Sequence, residues 1–146
     1  MNPVSFNTIF ISGELHTFFT LLKVSILFVS TLILTGCSSE GSATDLGSQE
    51  FASKVAEPGV IVLDVRTAAE FAEGHLPNAI NIDVEGGQFD AGIAQLDKTK
   101  TYAVYCRSGR RSGNAVEKMS SAGFTSLFNL NVGIVDWQSQ GLPVVR

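Results

Sequence analysis

Apolar and polar positions follow two different periods along residues 49–146. Four runs rich in β-branched and other apolar residues have the length of buried strands, and they cover 60–64, 79–82, 101–105 and 125–130. Five segments between and around them place apolar residues three or four apart, as on one helix face; these are 50–56, 68–73, 89–96, 112–122 and 133–140. Strands that alternate with helices predict an α/β domain with a mostly parallel central sheet of about five strands flanked by helices.

A separate apolar segment precedes the domain. Residues 24–34 form a run of eleven residues without a charge, directly after Lys23. A membrane-spanning helix needs about 20 apolar residues, whereas a shorter run behind a positive charge is typical of a signal peptide. An uncleaved anchor over 18–34 is the alternative, and Lys23 in the middle of that stretch argues against it. The pattern therefore predicts a segment that directs export.

The residues after this run resemble the lipobox of bacterial lipoproteins. Residues 34–37 (LTGC) place a small residue before a cysteine, and a stretch rich in Ser, Gly, Ala and Thr follows. In lipoproteins, diacylglycerol is attached to that cysteine, which becomes the new N-terminus. The resemblance implies a signal peptide over 1–36, a lipidated Cys37 and a flexible tether over 37–48, with the domain over 49–146. A cysteine placed by chance after an ordinary signal peptide is the alternative.

The same resemblance implies a location. The protein is expected in the cell envelope, lipid-anchored on the outer side of the cytoplasmic membrane or in the periplasm or outer membrane. Charge agrees with a role away from nucleic acid: the net charge of −4 falls wholly on residues 37–146. An acidic domain does not bind nucleic acid through bulk charge.

Cysteine and histidine are scarce. With Cys37 lipidated, Cys106 is the other of two cysteines and has no disulfide partner. A lone thiol of this kind is either buried and inert or reactive for a purpose. The domain holds one histidine, His75, and no second cysteine, which argues against a metal site.

The candidate chemistry lies where the strand over 101–105 ends. Cys106 follows directly, Gly109 permits a tight turn, and a predicted helix comes next. Such a turn can point backbone N–H groups inward as a nest for an anion, and the helix N-terminus adds partial positive charge. From Lys98 to Val116 there are five positive charges and no acid. We therefore expect the pKa of the Cys106 thiol to be lowered.

Two chemistries suit a thiolate surrounded by donors. One is attack on a sulfane sulfur, which gives a cysteine persulfide, and the other is attack on a phosphate ester. Phosphate, with three non-bridging oxygens, needs a wider cradle than one sulfur atom. A solvated basic loop beside an inert cysteine is the third interpretation, although a glycine turn with three arginines is an unusual surrounding for simple packing.

Four motifs, in order, resemble those of single-domain rhodanese-like sulfurtransferases of the phage-shock type. They are Asp64–Arg66, Glu70–Ile82, Tyr105–Ser112, and Gly133 with Trp137. The resemblance covers about residues 49–146 and implies the rhodanese-like fold with no cofactor. It also implies a six-residue active-site loop, Cys106–Arg111, whereas the related dual-specificity phosphatases have seven residues. The loop length favours sulfur over phosphate.

The resemblance assigns roles within this loop. Cys106 is the expected catalytic nucleophile. The expected substrate-binding residues follow it: Arg107, Ser108, Gly109, Arg110, Arg111 and Ser112. The expected partners are a small anionic sulfur donor such as thiosulfate, a thiol or cyanide-like acceptor, and a membrane through the lipid. A phosphatase or arsenate reductase on the same fold is one alternative, and a non-catalytic module that carries sulfur or docks a partner is the other.

Several conspicuous residues have structural interpretations instead. Asp64 and Arg66 are expected to form an ion pair that supports folding, and His75 lies in a motif that is structural in the family. Trp137 is expected in the core. Val132 stands where the family has the first glycine of a pair, which predicts a stiffer loop there.

Overall fold

The computed structural model describes residues 43–146. Five strands and five helices alternate along them. The strands are β1 (Thr44–Leu46), β2 (Val60–Asp64), β3 (Ile80–Asn81), β4 (Thr101–Tyr105) and β5 (Ser126–Leu130). The helices are α1 (Ser48–Val55), α2 (Ala68–Glu73), α3 (Phe89–Ile93), α4 (Arg110–Ser121) and α5 (Gly133–Ser139). The expected signal peptide over 1–36 and the expected lipidation of Cys37 lie outside the described residues.

The five strands form one sheet in the order β1-β5-β4-β2-β3, and every pairing in it is parallel. The α/β fold predicted from the sequence is therefore confirmed. β2 and β4 are in register from Val60 opposite Thr101 to Asp64 opposite Tyr105. Because parallel strands end at the same edge of a sheet, the residues that follow β2, β4 and β5 are brought together at one carboxyl edge.

Alternation along β4 divides the core into two clusters. Tyr102, Val104 and Cys106 belong to a cluster with apolar residues of α3 and α4, while Ala103 and Tyr105 belong to a cluster with apolar residues of α1 and α5. Successive side chains of a strand point to opposite faces, so the two clusters lie on the two sides of the sheet. Both faces are thus covered by helices, as a parallel sheet requires.

One predicted boundary is wrong. The tether was expected to run to residue 48, yet Thr44–Leu46 form β1, which pairs with β5 from Thr44 opposite Phe128 to Leu46 opposite Leu130. α1 then begins at Ser48, whose hydroxyl donates to Asp136 over 2.7 Å. Within the described part of the chain, the residues from 44 onward therefore belong to the domain. Polar composition misled the prediction because β1 is a short edge strand held by non-local pairing.

The helix α2 follows its predicted bounds and has a capping box. The Thr67 hydroxyl accepts from the Glu70 backbone N–H over 3.2 Å, and the Glu70 carboxylate accepts from the Thr67 backbone N–H over 3.1 Å. These reciprocal bonds satisfy donors at the helix start that have no partner within the helix. They also fix the position of the Glu70 carboxylate at the carboxyl edge of the sheet.

Among residues 43–146, no helix is both long and apolar enough to cross a bilayer.

Candidate active site

Cys106 lies at the base of a loop between β4 and α4. The residue is 1% exposed and packs in the core cluster with α3 and α4. The backbone N–H of Gly109 donates to its Sγ over 3.2 Å. The hydroxyl of Ser112 lies 3.5 Å from the same sulfur and 3.0 Å from the Gly109 carbonyl oxygen, and its single proton can be donated to either acceptor. The sulfur atom therefore faces donors that curl around it.

The curl depends on a close approach at Gly109. This residue has a φ of 90°, and a Cβ built there would lie 1.8 Å from the Asn131 carbonyl oxygen. Only glycine adopts this backbone region readily and leaves room for the neighbouring chain. α4 then begins at Arg110, so the N-terminal end of this twelve-residue helix opens onto the loop.

The first residues of α5 hold the loop from the other side. The backbone N–H of Ile134 donates to the Cys106 carbonyl over 2.9 Å, and that of Val135 donates to the Arg107 carbonyl over 3.2 Å. Gly133 has a φ of 71°, and a Cβ there would lie 2.3 Å from the Arg107 carbonyl oxygen. The segment that contains Val132 and Gly133 is thus packed directly against the backbone of the reactive loop.

Hydrogen bonds, rather than nearby cations, dominate the acidity of the thiol. Burial acts to raise the pKa of Cys106, but hydrogen bonds from the Ser112 hydroxyl and from the backbone N–H groups of Ser112, Ser108 and Gly109 outweigh it. The net direction is a lowered pKa, because these donors stabilise the thiolate. The direction agrees with the expectation from sequence, whereas the main cause differs.

The expected cluster of five positive charges around the thiol is not what the fold produces. Lys98 precedes β4, at the opposite end from Cys106, and its ammonium donates to the Ala122 carbonyl over 2.7 Å. Lys100 also precedes the strand. Proximity along the chain was misleading here because a five-residue strand separates its two ends by about 16 Å. Three arginines remain near the loop.

These arginines differ in their surroundings. Arg111 donates to both Glu70 carboxylate oxygens, over 2.7 and 2.6 Å. Arg110 is exposed and lies 3.3 Å from the Glu85 carboxylate. Arg107 is exposed and has no carboxylate of the described residues within 4 Å. The loop is therefore partly neutralised by acids that the local sequence does not contain.

The Glu70–Arg111 pair was missed by the sequence analysis. Its members are 41 positions apart, and nothing in the sequence around Glu70 or Arg111 indicates that the two side chains meet. Hydrogen bonds from Arg111 lower the pKa of Glu70 to about 2. In return, hydrogen bonds to Glu70 raise the pKa of Arg111, and the nearby Cys106 acts in the same direction. The contact between Arg111 and Glu70 could be predicted only from the order of the strands, because that order brings the residues after β2 and β4 to the same edge of the sheet.

Asp64 and Arg66 form the ion pair that the sequence predicted. The Arg66 guanidinium donates to both Asp64 oxygens over 2.6 to 3.0 Å and to the Gly74 carbonyl over 2.7 Å. Asn81 adds bonds from its side-chain amide to the carbonyls of Asp64 and Arg66. Both charged side chains are buried, so the pair is placed as a support of the sheet edge beneath the site.

His75 and Trp137 also occupy structural positions. The His75 ring stacks on Phe71 with centroids 3.7 Å apart, and its Nδ1 lies 3.0 Å from the Phe71 carbonyl. Its backbone pairs with Val145. Trp137 is buried in the core and its Nε1 donates to the Pro143 carbonyl over 3.0 Å.

A shallow groove adjoins the loop. It has a volume of about 420 Å³, and its walls include Glu70, Arg107, Val135 and Gln138. A larger cleft of about 690 Å³ lies along α3 and α4, but none of the residues Cys106–Arg111 lines it. Among residues 43–146, no three His, Cys, Asp or Glu side chains converge as a metal site would require.

Comparison with known proteins identifies the family to which this fold belongs. A model of the rhodanese-like domain family matches residues 48–140. The chain belongs to the rhodanese-like family. The match begins at the first residue of α1 and ends one residue after α5, so it includes the reactive loop and the turn packed against it.

This rhodanese-like domain has relatives that are named as sulfurtransferases. It is similar to a sulfurtransferase of Allochromatium vinosum, with 30% identity over 102 residues that cover 69% of this chain and 94% of the relative. It is also similar to the thiosulfate sulfurtransferase PspE of Escherichia coli, with 37% identity over 67 residues, or 46% of this chain and 64% of that protein.

The fold agrees with solved structures of the family. A rhodanese-related protein from Thermoplasma volcanium superposes with a TM-score of 0.62 at 31% identity, covering 70% of this chain and 97% of that one. A rhodanese-like domain protein from Staphylococcus aureus gives a TM-score of 0.60 at 27% identity, covering 70% and 99%.

Proposed function

We propose that this protein is a persulfide-forming sulfurtransferase in which Cys106 carries the sulfur. The observation that supports this most is the position of Sγ at the base of the loop, with the Gly109 N–H 3.2 Å away and the Ser112 hydroxyl beside it. Donors in this arrangement stabilise a thiolate before the reaction and a persulfide anion after it. No cofactor takes part in this scheme.

The first half of the reaction transfers sulfur to the enzyme. The Cys106 thiolate attacks the outer sulfur of a thiosulfate-like donor, a new S–S bond forms, and the old S–S bond breaks. The electron pair of the broken bond leaves with sulfite. The persulfide retains one negative charge, and the backbone N–H groups of Ser108 and Gly109 are placed to stabilise it as they stabilise the thiolate.

The second half transfers sulfur to an acceptor. A nucleophile such as cyanide or a thiolate attacks the outer sulfur, the S–S bond to Cys106 breaks, and the thiolate is regenerated. The nearly complete burial of Cys106 suits this chemistry. The outer sulfur extends beyond Sγ by one bond, so it is the first reactive atom that an incoming acceptor meets.

A sulfur donor fits the loop better than a phosphate ester does. Counting from Cys106, Arg111 is the sixth residue and pairs with Glu70, while the seventh, Ser112, directs its short hydroxyl towards Sγ. An arginine at the seventh position, which would hold a phosphate, is missing from this chain. The names of the relatives in Allochromatium vinosum and Escherichia coli agree with sulfur transfer.

An assay of thiosulfate:cyanide transfer tests the proposal. We expect thiocyanate formation with the native protein and none with Cys106→Ser, provided that Cys106→Ser retains the native circular dichroism spectrum. Full activity in Cys106→Ser would contradict the persulfide mechanism. Turnover of an aryl phosphate in preference to thiosulfate would instead favour the phosphatase alternative, and the loss of both in Cys106→Ser would leave the nucleophile assignment intact.

We further propose that lipid on Cys37 anchors the protein to a membrane of the cell envelope. The support is the lipobox-like sequence LTGC after an apolar run of eleven residues. We expect Cys37→Ala to be released from the membrane fraction or to accumulate unprocessed, with sulfur transfer unchanged. Equal membrane binding and normal processing of Cys37→Ala would show that a different element forms the anchor.

A further inference from the structure

The Glu70–Arg111 pair is held more firmly than an ordinary surface ion pair. Its two bonds, 2.6 and 2.7 Å, form a bidentate fork, and the side chains are only 12% exposed for Arg111 and 27% for Glu70. The Glu70 carboxylate also accepts from the Thr67 backbone N–H and hydroxyl, each over 3.1 Å. α2 therefore fixes the carboxylate, and the carboxylate fixes the guanidinium.

This pairing reduces the positive charge that faces Cys106. Arg107, Arg110 and Arg111 supply three cations, while Glu70 and Glu85 bring two carboxylates within 4 Å of these arginines. One net positive charge remains. A thiolate that attacks thiosulfate needs three negative charges to be brought together, whereas attack on a donor with one charge needs two.

We propose that Glu70 is a positioning residue that sets which charge of sulfur donor this site accepts. By binding Arg111, it keeps the loop only weakly positive, so that donors with a single negative charge, such as persulfide or thiosulfonate anions, are favoured over dianionic thiosulfate. This inference rests on the proposed sulfur transfer and specifies its donor class.

The physical reason is the proportionality of Coulomb energy to charge. A carboxylate at a given distance repels a dianion twice as strongly as a monoanion. Glu70 also occupies both forks of the Arg111 guanidinium, so this side chain cannot turn towards the oxygens of a donor without breaking two short bonds. The first effect disfavours thiosulfate selectively, and the second removes a contact that either oxygen-bearing donor could otherwise make.

Two donors isolate the effect of charge. Thiosulfate and methanethiosulfonate each present an outer sulfur bonded to an oxidised sulfur, and in each case the Cys106 thiolate forms one S–S bond while another breaks. The leaving groups are sulfite and methanesulfinate, each of which takes the electron pair. The donors differ by one negative charge, and the values of kcat/KM for them report the same half-reaction.

Glu70→Gln is the informative variant, because glutamine can still accept from Thr67 and preserve the helix cap. We expect the ratio of kcat/KM for thiosulfate to that for methanethiosulfonate to rise about 3- to 10-fold. We also expect the pH midpoint of Cys106 alkylation by iodoacetamide to fall. Arg111→Gln, which leaves the acid without its cation, should move both quantities in the opposite direction.

Glu57→Gln is the matched control. Glu57 is exposed and precedes β2, at the edge of the sheet opposite Cys106, so removal of its charge should change neither quantity. A merely structural role for Glu70 would lower activity towards both donors in both site variants, without opposite shifts.

The outcomes separate the two proposals. An unchanged donor ratio and alkylation midpoint in a folded Glu70→Gln would overturn the role of Glu70 while leaving sulfur transfer intact. A native protein that accepts sulfur from neither donor would overturn the proposed function, and with it the assigned donor class. The alkylation midpoint needs no turnover, so in that case it still decides whether Glu70 tempers the charge at Cys106.

Discussion

Two arginine–carboxylate pairs lie at the carboxyl edge of the same sheet, yet they differ in burial and in what they touch. The side chains of Arg66 and Asp64 are 7% and 0% exposed, whereas those of Arg111 and Glu70 are 12% and 27% exposed. In the first pair, the Arg66 guanidinium also donates to the Gly74 carbonyl, and the Asn81 side-chain amide donates to the backbone carbonyls of Asp64 and Arg66. The second pair includes the last residue of the loop that contains Cys106.

The degree of burial determines how much each ion pair contributes to the free energy of folding. Removing one partner from a buried pair leaves an uncompensated charge without solvent, which is strongly destabilising, whereas a partly exposed pair contributes much less to folding. The Asp64–Arg66 pair therefore belongs to the scaffold, and the Glu70–Arg111 pair chiefly adjusts the charge of the site. The same two functional groups serve different purposes because one pair is buried and the other is partly exposed beside the reactive loop.

The sharpest way to break this comparison is to remove the buried acid. Asp64→Asn leaves the Arg66 guanidinium buried without its counter-charge, and we expect a loss of about 3–5 kcal/mol in the free energy of unfolding. Urea unfolding followed by the fluorescence of Trp137, the single tryptophan, measures it. As control, Asp90→Asn removes an exposed acid 3.8 Å from Lys118 and should cost less than about 1 kcal/mol. Equal costs would remove the distinction between buried and exposed pairs.

A second test moves the reactive loop without changing its charge. Gly109→Ala places a methyl group against the Asn131 carbonyl and strains a positive φ, so the loop must shift. A displacement of about 1 Å can cost about 10²-fold in rate, and we expect a loss of that order in sulfur transfer. Gly113→Ala adds a Cβ within α4 that meets no other part of the chain within 4 Å, and this variant should retain activity. Retained activity in Gly109→Ala would show that the curled geometry is dispensable.

A third test removes one donor to the sulfur. Ser112→Ala deletes the hydroxyl beside Sγ, so the pKa of Cys106 should rise and kcat/KM should fall about tenfold near neutral pH. Ser126→Ala deletes the hydroxyl that contacts Thr101 at the opposite edge of the sheet and serves as control. The pH dependence of alkylation measures the first effect, and unchanged behaviour of Ser112→Ala would assign the stabilisation to the backbone alone.

The smallest expected effect concerns acid stability. Bonds to Arg111 lower the pKa of Glu70 from 4.5 to about 2. The ionised Glu70 therefore contributes fully to the free energy of unfolding above pH 4.5, and this contribution is lost as the pH falls through about 2. Partial exposure and solvent screening reduce its contribution to about 1 kcal/mol. The difference in unfolding free energy between the native protein and Glu70→Gln should therefore shrink below pH 4.5. A difference that stays constant down to about pH 3 would contradict the assigned pairing.

Local signals predicted much of the fold. β2 and β4 have their predicted bounds because continuous β-branched and aromatic runs are typical of buried parallel strands. α2 has its predicted bounds because Thr67 caps its first turn and Gly74 follows its last residue. By contrast, β1 depends on pairing with β5, more than 80 positions away, and its own three residues give no strand pattern.

The same limit applies to the site. The sequence singled out Cys106 and the residues that curl around it, because they are contiguous. It could not reveal that Glu70 and Glu85 partly neutralise the loop, since both acids arrive from other elements of the chain. The predicted positive charge around the thiol was too high, because it included Lys98 and Lys100. Strand β4 separates these two lysines from Cys106.

The most direct test of the central claim is the mass of the protein after exposure to a sulfur donor. Intact and peptide mass spectrometry of the native protein, treated with thiosulfate and trapped by alkylation, should show an added mass of about 32 Da, the mass of one sulfur atom, confined to Cys106. Subsequent cyanide should remove this mass and release thiocyanate in equal amount. A Cys106 that remains unmodified while thiocyanate is still produced, or a sulfur adduct located elsewhere, would contradict the account.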